Sequence, residues 1–363
     1  MPQRRSPSRL SRPLHGGVES NQASALAMPG QAILDFSANI NPLGPSPRVR
    51  EAMTEFDPSR YPDLTNRKLK TILAEMNGVS PDQVAPGNGS SELIHLLAEA
   101  FVEKGDRVLI FAPTFGDYEF ACRLNGARVS FITSREKDNF QWDISSAVKK
   151  LQRLRPVLVF LCNPNSPTGI YLSLEEVGLL MRSTADGLFV MDEAFITFTD
   201  NRWDSTRLLR HRNFVIMRSL TKDYALAGLR LGYTLSSRRV AQLIRTHQPT
   251  WSVSAAAQVA GLAALSDPAH LEKARGCVRE ARGYLERALD RLGFKVFPSE
   301  ANFLLVKVGN GAEFQAKLLS RLIYVRDCTS FGLPEFVRIG VRTLPECQRL
   351  VSAVDEVLGT SST

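Results

Sequence analysis

The stretch Arg218-Ser-Leu-Thr-Lys222, followed six residues later by Gly228-Leu-Arg-Leu-Gly-Tyr233, carries most of the information about the fold of this chain. It comes directly after Asn213-Phe-Val-Ile-Met217, a run with the length and near-continuous apolar character of a strand buried on both faces. Two hydroxyl side chains, a lysine and an arginine therefore lie within thirteen residues of the end of a buried strand. Loops after strands are where α/β proteins bind ligands, so this stretch is a candidate site.

The side chains of this stretch suit a phosphate and an aldehyde. Ser219, Thr221 and Arg230 have the donors to bind a phosphate dianion, and the fork of an arginine matches phosphate oxygens. Lys222 supplies a primary amine, the group that condenses with an aldehyde. A surface lysine beside an ordinary turn would have the same local sequence, so the rest of the chain has to decide between the two interpretations.

Other short apolar runs alternate with helical patterns along the first two thirds of the chain. The intervening segments Ser91–Phe101 and Ser173–Met181 have helical periodicity, and Ser173 and Glu176 have the spacing of a capping box. This alternation predicts an α/β fold with a mostly parallel sheet. The predicted strands, besides 213–217, are Val108–Phe111, Val157–Cys162, Leu188–Met191 and Leu231–Leu235.

The chain divides into four predicted segments. Residues 1–13 form a basic tail that we expect to be disordered, and residues 14–60, rich in Pro, Gly and Asn, form an extended N-terminal arm. Residues 61–250 form the large domain, and residues 251–363 form a smaller α+β domain. Its predicted elements are helices over 253–292, 312–321 and from Pro345, and strands over 303–308, 324–326 and 336–341.

Composition excludes several classes of protein. The net charge is +8, and four of the positive charges lie in the tail, so the excess is too small to indicate nucleic-acid binding but suits anionic, phosphorylated substrates. No apolar run reaches the roughly 18 residues of a membrane span, and the tail lacks the apolar stretch of a signal peptide. The five cysteines are scattered, which predicts a reducing cytoplasm and no metal site.

Two further motifs lie at the ends of predicted strands. Asp192 and Glu193 follow Leu188–Met191, where a carboxylate can pair with a protonated pyridine nitrogen, although acidic residues are also common there without such a role. Gly87-Asn-Gly-Ser-Ser-Glu92 opens a helix, and such a turn presents free N–H groups and the helix dipole to an anion. A plain capped helix start would have the same sequence.

Two loops offer contacts for an aromatic ligand. Asn163-Pro-Asn-Ser-Pro-Thr-Gly169 follows a predicted strand and offers side-chain donors for a phenolate oxygen on a proline-fixed turn. Phe115, in Ala112-Pro-Thr-Phe-Gly116, follows another strand and can stack on an aromatic ring, or can simply be a core residue.

Three arginines of the small domain lie in apolar stretches that we expect to be partly buried. Buried arginines normally need anionic partners, either from structural ion pairs or from the carboxylate and phosphate of a substrate. The three are Arg326, Arg338 and Arg342.

Together these segments resemble the fold-type-I pyridoxal-phosphate (PLP) enzymes, the aspartate aminotransferase superfamily, from about His15 to the C-terminus. The resemblance implies an aspartate-aminotransferase-like fold. Lys222 resembles the Schiff-base lysine and Asp192 the partner of the pyridinium nitrogen. Phe115 resembles the ring-stacking residue and Arg338 the arginine that holds the substrate α-carboxylate. The residues that resemble the cofactor-phosphate site are Gly89, Ser90, Ser91, Ser219, Thr221 and Arg230.

The resemblance also implies a homodimer with shared active sites. Tyr61, in Arg60-Tyr-Pro-Asp63, resembles the tyrosine that reaches the cofactor phosphate of the neighbouring subunit. One position departs from the superfamily pattern, which usually has asparagine directly before Pro-Thr-Gly. This chain has Ser166 there and Asn165 one residue earlier, and we expect one of the two to contact the ring oxygen.

Two families of this superfamily share the motifs, the threonine-phosphate decarboxylases of cobalamin biosynthesis and the histidinol-phosphate aminotransferases. His15-Gly-Gly17 followed by Asp35-Phe-Ser-Ala-Asn-Ile-Asn-Pro-Leu-Gly44 is similar to the opening of the decarboxylases. So are Pro249-Thr-Trp-Ser-Val253 and Arg338-Ile-Gly-Val-Arg342. Phe195 stands where aminotransferases commonly have a tyrosine.

The resemblance therefore implies decarboxylation of O-phospho-L-threonine to (R)-1-amino-2-propanol O-phosphate and carbon dioxide. Arg326 or Arg342, with His15, would bind the substrate phosphate. The alternative is an aminotransferase for histidinol phosphate or a related amino-acid phosphate. A PLP-binding regulator would carry a DNA-binding domain before the fold, and the match begins too early in the chain for one.

Overall fold

The computed structural model describes residues 12–14, 16–17, 32–184 and 186–359 of the chain. The strands, numbered β1 to β13, are Leu34–Asp35, Val84–Gly87, Arg107–Ala112, Arg128–Thr133, Leu158–Cys162, Leu188–Asp192, Phe214–Ser219, Gly232–Leu235, Lys295–Phe297, Phe303–Lys307, Ile323–Tyr324, Arg326–Asp327 and Phe336–Gly340. The α-helices, numbered α1 to α11, are Pro47–Thr54, Arg67–Asn77, Gly89–Phe101, Asp117–Leu124, Ile144–Leu154, Leu174–Arg182, Arg238–His247, Ala255–Leu265, Pro268–Arg291, Gly311–Leu319 and Leu344–Gly359.

A seven-stranded sheet with the order β2-β8-β7-β6-β5-β3-β4 forms the centre of the larger part of the fold. The strands from β7 to β4 are parallel to one another, whereas β8 and β2 join the edge in antiparallel pairs. The five apolar runs singled out in the sequence are all strands of this sheet, with ends shifted by one or two residues. The α/β class with a mostly parallel sheet is confirmed.

Side chains of the central strands alternate between two hydrophobic cores, one on each face of this sheet. In β5, Val159 and Leu161 join one core, whereas Leu158 and Phe160 join the other. Both faces are covered by helices, so every residue of β5 and β6 is buried. This burial on both faces explains why the strands are almost continuously apolar in sequence.

A second, four-stranded antiparallel sheet with the order β12-β13-β10-β9 forms the smaller unit. Apolar side chains of α9, α10 and α11 pack with this sheet in a third core, to which Phe36 of the N-terminal arm also contributes. The arm is attached to this unit by parallel pairing of β1 with β11.

Three predicted elements differ in the structure. The arm is not extended throughout, because Ser46 caps α1 and Pro47 occupies its first turn. The predicted helix over 253–292 is two helices, since Asp267 caps α9 directly before Pro268. The predicted strand 324–326 is two short strands in different sheets, β11 and β12.

None of the helices in the described part of the chain combines the length and apolar character that a membrane span requires.

Candidate active site

A cavity of about 580 Å³ opens where the carboxyl ends of the parallel strands meet the small unit and the arm. Asp192 is the last residue of β6, and Lys222 lies three residues after β7. The structure thus brings together most of the side chains singled out in the sequence. Those that line the cavity are Ser90, Ser91, Phe115, Ser166, Asp192, Thr221, Lys222, Arg230, Arg326 and Arg338.

One end of the cavity is built for an anion. Ser90 and Ser91 lie in the first turn of α3, where backbone N–H groups are free and the helix dipole is positive. Gly89 begins this helix with a φ of +76°, and a Cβ there would lie 2.7 Å from Nη2 of Arg230. The positive φ at this position favours glycine, and the backbone passes close to the guanidinium of Arg230.

Thr221 completes this end of the cavity. Its hydroxyl lies 2.6 Å from Oγ of Ser219, which is buried behind it and does not itself line the cavity. Arg230, with a φ of +58°, directs its guanidinium towards the start of α3. A phosphate dianion fits the hydroxyls, the free N–H groups and the guanidinium gathered here.

Asp192 is a buried carboxylate with one donor on each oxygen. The hydroxyl of Tyr118 donates to Oδ2 at 2.6 Å, and the N–H of Ala194 donates to Oδ1 at 2.9 Å. Burial raises the pKa of Asp192 to about 6, while the hydrogen bond from Tyr118 and the charge of Lys222 act in the opposite direction. A buried carboxylate of this kind, when ionised, favours a positively charged hydrogen-bond donor as its partner.

Lys222 faces this carboxylate across the cavity. Burial lowers the pKa of its amine to about 8, and the positive charges of Arg338 and Arg230 lower it further, against the opposing charge of Asp192. A substantial fraction of the amine is therefore neutral near physiological pH, which is the form that attacks an aldehyde.

The loop after β5 turns Asn165 away from the cavity and Ser166 towards it. The amide of Asn165 is buried and donates to the carbonyl of Pro113 and to Oγ1 of Thr168, both at 2.9 Å. Ser166 lines the cavity, and its Oγ accepts a hydrogen bond of 2.7 Å from Nη1 of Arg338. Of the two candidates for the ring oxygen, the structure places only Ser166 on the cavity wall.

Arg338 and Arg326 lie buried on the side of the cavity formed by the small unit. Arg338 donates to Oγ of Ser166 and, at 2.8 Å, to the carbonyl of Ser37, and burial lowers its pKa to about 10. Arg326 donates to the carbonyl of Leu14 at 2.9 Å and to Oγ of Ser330 at 2.6 Å. Neither forms a salt bridge with any carboxylate that the structure describes, and both buried Nε atoms lack a partner there.

Arg342 does not lie on the cavity wall, in contrast to the sequence-based prediction. Its Nη2 pairs with Glu346 at 2.6 Å, one turn further on, and its Nη1 donates to the carbonyl of Asp35. A local carboxylate at the start of α11 thus supplies the anionic partner that a substrate was expected to supply.

Tyr61, another predicted residue, lies outside the cavity of the single chain. Tyr61 is 79% exposed and stacks on Trp251 with ring centroids 4.5 Å apart. His15 lies outside the described residues, whereas Leu14, Gly16 and Gly17 line the cavity.

Tyr118 and the polar residues of the arm also line the cavity, although the sequence did not single them out. Tyr118 lies in the first turn of α4, three residues after Phe115, and the two rings meet edge to face with centroids 5.7 Å apart. From the arm, Asp35 and Ser37 line the cavity, and Oγ of Ser37 accepts from the N–H of Gly17. This Asp-x-Ser pair was visible in the sequence only as part of the opening motif.

These groups fit pyridoxal phosphate. The anion site suits its phosphate, Lys222 its aldehyde, Asp192 its ring nitrogen and Phe115 its ring face.

Comparisons with known proteins agree with this fit. The model of the family "Aminotransferase class I and II" matches residues 31–354. Histidinol-phosphate aminotransferase of Symbiobacterium thermophilum is 39% identical over 334 residues, which cover 90% of this chain and 91% of that protein. Other relatives at 30–35% identity bear the same name, and one bears the provisional name threonine-phosphate decarboxylase.

Solved structures of both kinds also match. Histidinol-phosphate aminotransferase of Sinorhizobium meliloti in complex with pyridoxal-5'-phosphate superposes with a TM-score of 0.85 at 25% identity, covering 96% of both chains. L-threonine-O-3-phosphate decarboxylase of Porphyromonas gingivalis superposes with a TM-score of 0.79 at 28% identity, covering 90% of this chain and 100% of that one. The chain therefore belongs to the class I and II aminotransferase family of PLP-dependent enzymes.

Proposed function

We propose that this enzyme decarboxylates O-phospho-L-threonine to (R)-1-amino-2-propanol O-phosphate and carbon dioxide, in the cytoplasm and as a step of cobalamin biosynthesis. The observation that carries the proposal is the pair Arg326 and Arg338. Both are buried on the cavity wall, and neither forms a salt bridge with a carboxylate of the described residues, although the charge of Asp35 on the same wall acts on Arg338. A buried cation without a counter-ion is costly, so the pair favours a substrate with two anionic groups.

In this proposal the residues that hold the cofactor leave one side of the cavity to the substrate. Ser90, Ser91, Thr221 and Arg230 bind the cofactor phosphate, and Asp192 binds the ring nitrogen. When bound, pyridoxal phosphate supplies the electron sink for the reaction.

Arg338 holds the α-carboxylate of the substrate and so determines which bond at Cα stands perpendicular to the ring. Its two Nη atoms are held by Ser166 and by the carbonyl of Ser37, so the direction of the guanidinium is fixed before substrate arrives. Fixed orientation is the contribution that a protein makes to the choice between reactions of one cofactor. A decarboxylase needs the carboxylate in the perpendicular position, whereas a transaminase needs the Cα–H bond there.

Arg326 binds the substrate phosphate at the mouth of the cavity. Its Nη2 is held by the carbonyl of Leu14 and by Oγ of Ser330, so the N-terminal arm closes over this end. Lys222, once free of the cofactor, would carry the proton that is delivered to Cα in place of the departing carbon dioxide. The lowered pKa of Lys222, about 8, suits a group that accepts and returns a proton near neutral pH.

A homodimer is part of the proposal. Tyr61 lies on the surface of the single chain, stacked on Trp251 of the segment that resembles the decarboxylases. Exposed aromatic rings of this kind are common at subunit interfaces, where Tyr61 would reach the cofactor phosphate of the neighbouring subunit. The five cysteines are free thiols, which agrees with the reducing cytoplasm inferred from the sequence.

Histidinol-phosphate aminotransferase is the second candidate, and the names of most relatives favour it. The arginine pair also fits this activity, because 2-oxoglutarate, the acceptor of the amino group, carries two carboxylates. Phe195 on the cavity wall, where aminotransferases commonly have a tyrosine, supports the decarboxylase.

One comparison of substrates separates the two candidates. The holoenzyme is incubated with O-phospho-L-threonine alone, with L-threonine alone, and with histidinol phosphate plus 2-oxoglutarate. We expect carbon dioxide and aminopropanol phosphate from the first, far less from the second, and negligible glutamate from the third. Rapid glutamate formation without release of carbon dioxide from O-phospho-L-threonine would establish the aminotransferase instead.

A further inference from the structure

We propose that Tyr118 is a positioning residue that fixes the Asp192 carboxylate for the ring nitrogen of pyridoxal phosphate. The inference rests on the proposed pairing of Asp192 with that nitrogen and goes beyond it, since Tyr118 acts through its hydrogen bond to Asp192. It assigns a function to a fully buried hydroxyl that packing alone does not require.

The hydrogen bonds of Asp192 leave room for one more donor. Tyr118 donates to Oδ2 at 2.6 Å and the N–H of Ala194 donates to Oδ1 at 2.9 Å. An ionised carboxylate accepts about four hydrogen bonds, so these two donors hold its plane without saturating it. The remaining capacity is on the cavity side, since Asp192 is among the lining residues.

Aromatic packing holds the Tyr118 ring in place. The ring stacks on Phe160 of β5 with centroids 4.7 Å apart and planes 9° apart, and it meets Phe115 edge to face at 5.7 Å. Phe160 and Asp192 lie on neighbouring strands, β5 and β6. The Tyr118 side chain thus contacts both Phe115, the proposed ring-stacking residue, and Asp192. It therefore couples the two contacts that would set the position of the cofactor ring.

Electrostatics explain why a donor is needed at this place. Burial raises the pKa of Asp192, and the hydrogen bond from Tyr118 is the largest opposing influence. Without that bond the carboxyl group would be protonated more readily, and a protonated carboxyl is a poor acceptor for a pyridinium N–H. The pKa of Tyr118 itself is raised by burial and by Asp192, so its hydroxyl remains a donor throughout the working range.

The test measures cofactor binding, not turnover. Cofactor-free protein is prepared from the holoenzyme, and dissociation constants are measured for pyridoxal phosphate and for its deaza analogue, in which carbon replaces the ring nitrogen. Tyr118→Phe keeps the ring and its stacking but removes the donor. We expect it to weaken binding of pyridoxal phosphate about tenfold, as for loss of a hydrogen bond to a charged group. Binding of the deaza analogue should not change.

Two further variants serve as references. Tyr171→Phe is the control, because it removes the hydroxyl of a half-buried tyrosine, which accepts from the N–H of Trp203 outside the cavity, and it should change neither constant. Tyr118→His restores a ring donor and should recover part of the lost affinity. If Tyr118→Phe does not fold, Tyr118→His is used in its place. Tyr118→His must then bind pyridoxal phosphate more tightly than the deaza analogue.

Asp192→Asn separates the two levels of the argument. It should weaken pyridoxal phosphate selectively, and Tyr118→Phe added to it should have no further effect. Equal affinity of Asp192→Asn and the parent protein for pyridoxal phosphate would overturn the role of Asp192 and that of Tyr118 with it. A different pair of results would overturn the role of Tyr118 alone. In that case Asp192→Asn loses affinity for pyridoxal phosphate only, whereas Tyr118→Phe loses affinity for both ligands equally or keeps its affinity for both.

Discussion

Replacement of Arg326 by glutamine tests the assignment of the substrate phosphate. The side chain is buried, its Nη2 is held by Leu14 and Ser330, and its Nε has no partner among the described residues. A hydrogen bond to a charged group contributes roughly 1.5–3 kcal/mol, so kcat/KM for O-phospho-L-threonine should fall about ten- to hundredfold. L-Threonine has no phosphate to lose, so its kcat/KM should change by less than about threefold.

The readout is the ratio of the two kcat/KM values, obtained from carbon dioxide release with each substrate. Arg342→Gln is the matched control, because Arg342 lies nearby in sequence but pairs with Glu346 outside the cavity. Its loss should leave the ratio unchanged and cost at most about 1 kcal/mol of stability, as for a half-exposed ion pair. The assignment would be refuted by an equal loss with both substrates in Arg326→Gln. A change of the ratio in Arg342→Gln would refute it as well.

Three further results follow from the same geometry. Cofactor-free protein should capture pyridoxal phosphate faster as pH rises through about 8, the pKa of Lys222. Arg338→Gln should move the midpoint of this pH dependence upward, because it removes a positive charge that lowers the pKa of Lys222. Trapping of the cofactor by borohydride should vanish in Lys222→Ala. Burial raises the pKa of Asp192 to about 6, so the folded cofactor-free protein favours the protonated carboxyl. This contribution to the free energy of unfolding is complete below about pH 4 and is lost as pH rises through 6. Denaturant titrations should show this loss, up to about 3 kcal/mol, and its absence in Asp192→Asn. Tyr61→Phe should weaken cofactor retention by about 1 kcal/mol in a dimer, and a fully active monomer by light scattering would exclude the shared site.

The strands and the position of the site were predictable because both leave a direct trace in the sequence. A strand covered on both faces must be apolar throughout, and polar groups directly after such a strand meet at one edge of a parallel sheet. For this reason the sequence predicts that Asp192, Lys222 and Thr221 lie at strand ends on one side of the sheet, and in the structure all three line the cavity.

The remaining details depend on contacts between distant segments. The choice between Asn165 and Ser166 is made by the carbonyl of Pro113, which takes the Asn165 amide into the loop. The anionic partner of Arg342 is Glu346, four residues further on. In the sequence, Arg342 groups with two other arginines in apolar stretches, and this grouping does not indicate the local ion pair. Tyr118 lies between Asp117 and Glu119 in α4, so its local sequence does not indicate a buried position. Its burial against Phe160 depends on tertiary packing.

The charges of the cavity connect substrate binding to the proton on Lys222. Arg338 contributes to the lowered pKa of Lys222, because two cations near one another in a poorly solvated space disfavour each other. If Arg338 holds the substrate carboxylate as proposed, the carboxylate would offset that influence, and the pKa of Lys222 would rise when the site is filled. Before substrate arrives the amine is a good nucleophile for the cofactor aldehyde, and afterwards it is a better holder of a proton. In the proposed reaction, the arginine that orients the bond to be broken would therefore also prepare the lysine for the proton transfer that follows.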